Sequence, residues 1–405
     1  MKFTKYEHSI CEKKIYKFWE KNNFFKPIST KSKKTFSIVI PPPNITGRLH
    51  MGHALNNSLQ DVLIRYYRMN GYETLWQPGT DHAGIATQAI VEKKLAKANI
   101  NKNDIGREKF IEKVWKWKDE SGGLILEQLK KLGCSCDWSR SRFTMDDQMS
   151  KAVTKVFIAL FNKKLIYKDK KLVNWDTKLQ TAISDLEVVQ NEVQSQLYYI
   201  RYPIAESKEY ITIATTRPET MMGDAAIAVS PKDKRFKNFV GKFATIPVVN
   251  RKIKIITDHY ADPEQGTGAV KITPGHDFND YDVGKRNKLD VINILEKDGK
   301  INSNGIKSYV GLDRFEARKK IINELKSLNV LEKIENVKNK IPYGDRSNTI
   351  IEPLLTEQWF VDAKSLSKKP IQSVKTKKTI FFPENWTKTF FQWMNNIEPW
   401  CISRQ

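Results

Sequence analysis

Two histidines three residues apart, His50 and His53, follow a run of three prolines, Pro41-Pro42-Pro43, and open a long amphipathic stretch. On one face of a first helical turn both rings can donate hydrogen bonds to the same group. A helix N-terminus adds unpaired backbone N–H groups and the positive end of the macrodipole, so the pair suits a polyphosphate such as that of ATP. Gly52, between them, has no side chain and would let a flat base lie against the backbone. The same histidines are also compatible with part of a metal site that lacks its third ligand, or with plain surface polarity. A second group, Gly79-Thr80-Asp81-His82-Ala83-Gly84, offers a carboxylate that can either meet a ligand ammonium or cap the helix that follows.

The elements that must position these residues are legible in the apolar pattern. Phe36 to Ile40 reads as a buried strand, and the prolines stiffen the turn after it. An amphipathic helix is predicted from about Leu49 to Met69, closed by Gly71, followed by a strand from Tyr72 to Gln77. This is the opening of a doubly wound α/β nucleotide fold, in which ligands sit beyond the carboxyl ends of the strands. Both motifs fall at such ends. Residues 5–25, with Ile10, Ile15, Phe18 and Trp19 at helical spacing, are expected to pack a helix on this domain. Residues 107–165 are expected to be helical. Trp115, Trp117, Leu124, Leu126 and Leu129, then Val153, Val156, Phe157 and Leu160, form its core face, and Gly122-Gly123 marks a break.

The character changes near Glu192. From there to about Lys340 strands dominate: Gln196 to Tyr202, Tyr210 to Thr215, Phe243 to Val249, Lys252 to Ile256 and Ala269 to Thr273. Asp277 and Asp280 stand three apart in a loop-to-helix passage, which can put two carboxylates on one side of a pocket. Taken in isolation, turn carboxylates and a surface Lys271 are the favoured reading.

Composition narrows the class. The 405 residues suffice for two or three domains, and no run approaches the length of an apolar membrane span, so a soluble, cytoplasmic protein is expected. The 69 Lys+Arg against 46 Asp+Glu give a net charge of +23, which favours a polyanion such as RNA. Lys, Asn and Ile are all frequent, as A/T-rich codons would produce, so charge by itself does not select RNA. Cys11, Cys134, Cys136 and Cys401 form neither a disulfide framework nor a Cys-x-x-Cys pair, so no structural zinc and no metal site is expected.

His50-Met51-Gly52-His53 after Pro41-Pro42-Pro43-Asn44-Ile45-Thr46-Gly47 resembles the HIGH signature of class I aminoacyl-tRNA synthetases. With Gly79 to Gln88 (Gly-Thr-Asp-His-Ala-Gly-Ile-Ala-Thr-Gln) the chain is similar, within that class, to the valine-specific branch. The resemblance extends across essentially the whole sequence. It implies a helical extension over 1–35, the first part of a Rossmann-type catalytic domain over 36–191, an inserted β-rich editing domain over 192–340, and the return to the catalytic domain over 341–405. It implies ATP with Mg²⁺, valine and the valine tRNA as substrates, and a monomer. Thr46, His50, Gly52 and His53 would hold ATP, with His50, Gly52 and His53 catalytic; Pro42, Asn44 and Asp81 would hold valine.

The same resemblance implies a hydrolytic site on Thr215 to Thr220 and Gly266 to Tyr281. Asp280 would hold the amino group of a misattached residue and Arg217 would meet the terminal adenosine of the tRNA. Thr220, Asp262, Lys271, Thr273 and Asp277 would line the pocket. Gly275 stands where the family usually has Ala, a departure expected to be harmless. A second pocket has a physical reason: the apolar pocket of the valine enzymes is known to reject threonine only about a hundredfold, a property of those enzymes rather than a reading of this sequence. Knuckle cysteines found in some relatives are replaced by Asp176 to Leu179 and by Asp345 to Asn348. The same resemblance implies a Lys-Met-Ser-Lys-Ser loop, an anticodon-binding domain and a C-terminal arm that are expected to lie outside these 405 residues. Two functions are therefore expected to compete: the N-terminal portion of a valine–tRNA ligase, and a stand-alone tRNA-binding or trans-editing deacylase without synthetic activity. Another nucleotidyltransferase with the same histidine motif is disfavoured, because such enzymes carry no inserted editing domain.

Overall fold

The computed structural model describes residues 6–27 and 34–405, so part of the N-terminal extension lies outside the described residues. The chain folds as two compact units, Met1–Ala159 and Leu160–Gln405.

The first unit runs α1 (His8–Lys21), β1 (Thr35–Val39), α2 (Met51–Met69), β2 (Glu73–Gln77), β3 (Gly79–Thr80), α3 (Ile85–Lys97), α4 (Lys102–Lys131) and β4 (Arg142–Phe143), and ends within α5 (Asp147–Asn162). Strands β1 and β2 pair in parallel with α2 as the crossover, Thr35 facing Glu73 and Val39 facing Gln77. Ile40, Ile45, Ile64, Trp76, Ile125 and Leu129 form the core behind them, and the buried Trp76 indole finds Gln60 Oε1 at 3.0 Å. Met51, Leu55, Leu59, Val62, Tyr66 and Met69, at helical spacing along α2, are 60% or more exposed. A parallel sheet is ordinarily covered on both faces. Here one helix face and Val39 of β1 lie bare.

Three expectations are corrected. Helix α1 packs through Tyr16 and Trp19, while Ile10, Ile15 and Phe18 stay exposed, because the Tyr16 hydroxyl donates to Cys134 O at 2.6 Å and accepts from Trp138 Nε1 at 2.7 Å. Helix α4 does not break at Gly122-Gly123; its kink is at Gly106, with φ +75°. The turn around Gly122 runs straight past Ile45, burying Ser121, Gly122, Ile125 and Leu129 and leaving Trp115 and Leu124 outside. Helix α5 buries none of its residues, so Val153 and Val156 do not serve as core.

The second unit holds three sheets. Strands β5 (Ile166–Asp176) and β6 (Thr181–Ile183) join β14 (Glu352–Val361) and β15 (Trp400–Cys401) in the order β15-β14-β5-β6. Strands β7 (Val188–Pro203), β8 (Tyr210–Thr215) and β13 (Leu331–Gly344) form a second sheet, β13-β7-β8. Strands β9 (Ala226–Val229), β10 (Phe243–Thr245), β11 (Lys252–Thr257) and β12 (Ala269–Ile272) form the third, β10-β11-β9-β12. Helices α6 (Phe278–Asn287), α7 (Arg314–Ser327), α8 (Ala363–Lys375) and α9 (Trp386–Asn395) complete it. Glu192 and Lys340, the ends expected for the insertion, are register partners on β7 and β13, so this segment enters and leaves on one antiparallel ribbon. In place of the first knuckle, Asp176 Oδ1 accepts the backbone N–H of Lys178 at 3.0 Å and of Leu179 at 2.9 Å.

Five charges cross the core of this unit. Arg318 grips Glu219 with two bonds of 2.7 Å, Arg314 Nε reaches Glu352 Oε1 at 2.7 Å, and Arg217 joins Glu352 to Glu219. Burial by itself would raise Glu219, but the Arg318 hydrogen bonds and the charges of Arg318 and Arg217 outweigh it and hold the carboxyl low.

Candidate functional site

In the first unit, proline rings fix φ, cannot donate, and keep each preceding residue extended. The segment after β1 therefore continues straight instead of turning into the helix. It pairs with the segment after β2: Asp81 N–H donates to Pro43 O at 2.9 Å and Ile45 N–H to Asp81 O at 3.0 Å. The resulting parallel bridge puts Asn44 beside Asp81, with Pro42 exposed two residues upstream. The loop is then held from α4. Trp117 Nε1 donates to Ile45 O at 2.8 Å, Ser121 Oγ to Gly47 O at 3.3 Å, and Gln128 Oε1 accepts Leu49 N–H at 3.0 Å. Thr46 lies half-buried between these contacts.

His50 is the N-cap of α2 rather than a residue of its first turn. Its Nδ1 accepts Gly52 N–H at 3.1 Å, and His53 Nδ1 accepts His50 N–H at 3.3 Å, a reciprocal capping box made of two imidazoles. A neutral imidazole that accepts at Nδ1 carries its proton at Nε2. Both Nε2–H groups are thus donors without a partner among the described residues, on rings 4.0 Å apart at the positive end of the helix. Partial burial and then the charge of His50 push the His53 pKa down, which favours that neutral form. Gly52 has a reason beyond room for a base: a Cβ there would stand 2.9 Å from Cε1 of His50, against the capping ring.

Asp81 does not cap α3, whose N-cap is Gly84 at φ +48°. Its Oδ1 accepts Thr144 Oγ1–H at 2.9 Å and Ala83 N–H at 3.3 Å; its Oδ2 has no partner among the described residues. Since the Thr144 proton goes to Asp81, His82 Nδ1, 2.5 Å from Thr144 Oγ1, is the donor of that contact. Thr144, Ser121 and Gln128 carry no signal in the sequence, and Trp117 reads there only as a core-face residue, because each acts through hydrogen bonds to a distant segment.

In the second unit, β8 ends in a 3₁₀ turn, Pro218–Gly223, that is buried throughout and faces β12. Lys271 Nζ donates to Thr220 Oγ1 at 2.9 Å, to Asp224 Oδ1 at 3.0 Å and to Thr273 Oγ1. Asp277 is the N-cap of α6, accepting from Asn279 and Asp280 N–H at 2.8 and 3.1 Å. Asp280, one turn on, accepts Thr273 N–H at 2.8 Å. Burial, and then the Asp277 carboxylate, push Asp280 up to about 7 against the pull of Lys271. A carboxyl poised there exchanges a proton near neutrality.

The fold thus brings Thr220, Lys271, Thr273, Asp277 and Asp280 together. Arg217 lies beside them with its N–H groups turned inward: Nη1 donates to His276 O at 3.0 Å, Nη2 to Glu352, and Nε to Glu219 at 3.5 Å. Asp262 does not join the cluster; it sits on an exposed turn and accepts Glu264 N–H at 3.0 Å. Asp224, Tyr202 and Glu352 belong to the cluster or its supports and are not distinguished in the sequence. Among the described residues no group of three or more His, Cys, Asp or Glu is placed to hold a metal.

The profile of the family described as tRNA synthetases class I (I, L, M and V) matches residues 14–405. A protein of Pelagibacter ubique named valine–tRNA ligase is 71% identical over the whole chain, which spans 46% of that relative. One of the same name from Caulobacter vibrioides is 54% identical over 99% of the chain and again 46% of the relative. A solved LeuRS of Agrobacterium radiobacter, in a complex with tRNA and LeuAMS, covers 86% of this chain and 49% of its own at 18% identity and a TM-score of 0.40, too loose a likeness to bear on the site. The chain spans about half the length of the curated relatives it matches.

Proposed function

The chain belongs to the class I tRNA synthetases of the I, L, M and V group, and from that membership we propose that it is the N-terminal portion of a valine–tRNA ligase that also hydrolyses threonyl-tRNA(Val). Valine's carboxylate attacks the α-phosphate of ATP, forming valyl-adenylate and releasing pyrophosphate. A terminal ribose hydroxyl of the tRNA then takes the acyl group and AMP leaves. The observation that carries this reading is the imidazole capping box of α2, which leaves two Nε2–H donors without a partner among the described residues, on rings 4.0 Å apart at the helix N-terminus. Such donors stabilise charge that develops on a phosphate without reorganising. Mg²⁺ would travel with the nucleotide's phosphates. The free Oδ2 of Asp81 holds the valine ammonium, with Asn44 and Pro42 at the pocket's edge.

In the hydrolytic step water attacks the ester carbonyl of threonyl-tRNA, freeing threonine and tRNA. Asp280 holds the amino group, and Thr220, Lys271, Thr273 and Asp277 shape the pocket. Arg217, whose side chain stays 29% exposed, meets the terminal adenosine. The enzyme works as a monomer in the cytoplasm. Hydrolysis without synthesis is a second reading for this chain alone. It is favoured by the bare apolar stripe of α2, which leaves the nucleotide fold open, whereas the second unit closes an extensive core of its own.

The test is a hybrid in which this chain replaces the corresponding part of the Pelagibacter ubique relative. Valine, and not leucine or isoleucine, should drive exchange of labelled pyrophosphate into ATP. A folded hybrid that shows no valine dependence contradicts the proposal.

A further inference from the structure

Lys271 is 8% exposed and Asp224 fully buried. An ammonium persists in such surroundings only with a counter-charge and an acceptor for each of its three N–H groups. All three are taken, by Asp224, Thr220 and Thr273. The hydroxyl of Thr273 donates to the same Asp224 oxygen at 2.7 Å, and that of Thr220 to Arg217 O at 2.9 Å. Lys271 therefore has no N–H left for a ligand. What its charge does is fix two hydroxyls.

Asp224 is in turn held from every side. Its second oxygen, Oδ2, accepts the hydroxyl of the buried Tyr202 on β7 at 2.8 Å. Its backbone carbonyl accepts Arg251 Nη2 at 2.7 Å, and the same guanidinium nitrogen reaches Met222 O at 2.9 Å, pinning the end of the 3₁₀ turn. Its N–H donates to Met221 O at 3.1 Å. From Thr273 the chain of contacts runs on to Asp280 through the Thr273 N–H.

We propose that Asp224 is a positioning residue of the hydrolytic pocket, the counter-ion that anchors the Lys271 ammonium and, through it, sets Thr220 and Thr273 beside Asp280. The assignment rests on the hydrolytic reading given above. It places the charge of Lys271 in the wall of the pocket, so that Asp280 and Asp277 are left as the groups that face a ligand. Asp224 acts on the reaction only through Lys271 and Thr273.

The test uses the 405-residue chain labelled with ¹⁵N at its lysine side chains. The wild type should show a slowly exchanging ammonium signal that Lys271→Met removes. Asp224→Asn should speed its exchange at least about tenfold and lower kcat for threonyl-tRNA hydrolysis about thirtyfold, with KM nearly unchanged. Asp224→Glu, which restores the carboxylate, should recover part of both. The proposal is overturned if Asp224→Asn leaves the Lys271 signal slow. It is equally overturned if the wild type has no protected Lys271 signal, a result that does not depend on any variant folding. A wild type that shows the signal yet hydrolyses nothing counts against the hydrolytic reading, while the exchange rates still decide the Asp224 pairing.

Discussion

Thr144 donates a hydrogen bond of 2.9 Å to Asp81 across 63 residues of sequence, and so fixes which oxygen of Asp81 is left for a ligand. Without that bond Oδ1 keeps only the Ala83 N–H at 3.3 Å and the His82 ring at 3.2 Å, so the carboxylate is held less firmly and Oδ1 competes with Oδ2 for a ligand's ammonium. In the hybrid enzyme, Thr144→Val should raise KM for valine about tenfold with kcat within about threefold, the size expected for one hydrogen bond to a charged group. Thr144→Ser should behave as wild type. An unchanged KM in the valine variant would remove Thr144 from the account.

The two roles of His50, cap and donor, can be separated. Asn is among the best N-cap residues and also has an oxygen for Gly52 N–H, but it lacks the distant N–H of the ring. His50→Asn should therefore keep the Tm within about 1–2 °C while lowering pyrophosphate exchange about a hundredfold. Loss of exchange together with a large fall in Tm would mean that the ring matters only as a cap.

Asp280 gives the second unit a pH dependence of definite sign. Its folded pKa of about 7 lies above its ordinary 3.8, so the folded chain keeps a proton that the unfolded chain has released. The stability of the protonated form is fully present below about pH 4 and is lost as pH rises through about 7. Asp280→Asn stays neutral throughout. Measured by urea unfolding, the variant's advantage over wild type should widen between pH 4 and pH 8, by at most about 4 kcal/mol, and then level off. A constant gap would show that Asp280 titrates normally.

Glycines distinguish space from strain. A Cβ at Gly122 would meet Ile45 Cγ2 at 3.6 Å, an ordinary contact, so Gly122→Ala should stabilise α4 by about 0.5–1 kcal/mol. Gly275→Ala, which restores the residue usual in the family, would overlap the carbonyl oxygen of Ile292 and should destabilise by about 1–3 kcal/mol. Thermal unfolding of the two variants checks both signs; a destabilised Gly122→Ala or a neutral Gly275→Ala would contradict the packing described.

Residues with a local signature were readable in part: His50 and His53 announce a helix start, whereas Pro41 to Pro43, which read as stiffening a turn, hold an extended exit from β1 because the segment after β2 pairs with it. Asp224 was not, because its role exists only where β7, β12 and the turn after β8 converge. Strand β9 escaped for a similar reason, since Ala226-Ile227-Ala228-Val229 is buried on both faces and shows no alternation. Tyr16 was passed over in favour of Ile10, Ile15 and Phe18 because periodicity records apolarity and not the hydroxyl's partners. Gly122-Gly123 carries glycine's preference for a break, but both lie inside the continuous helix α4, where Gly122 passes Ile45 at ordinary contact distance.

The central claim is that the pocket around Asp280 hydrolyses a misacylated tRNA. The most direct measurement is release of threonine from threonyl-tRNA(Val) incubated with the 405-residue chain, beside Asp280→Ala and with valyl-tRNA(Val) as comparison. The account predicts threonine release by the wild type, its loss in the variant, and slow release of valine. Release that is the same with and without Asp280, or no release by a correctly folded chain, would contradict it.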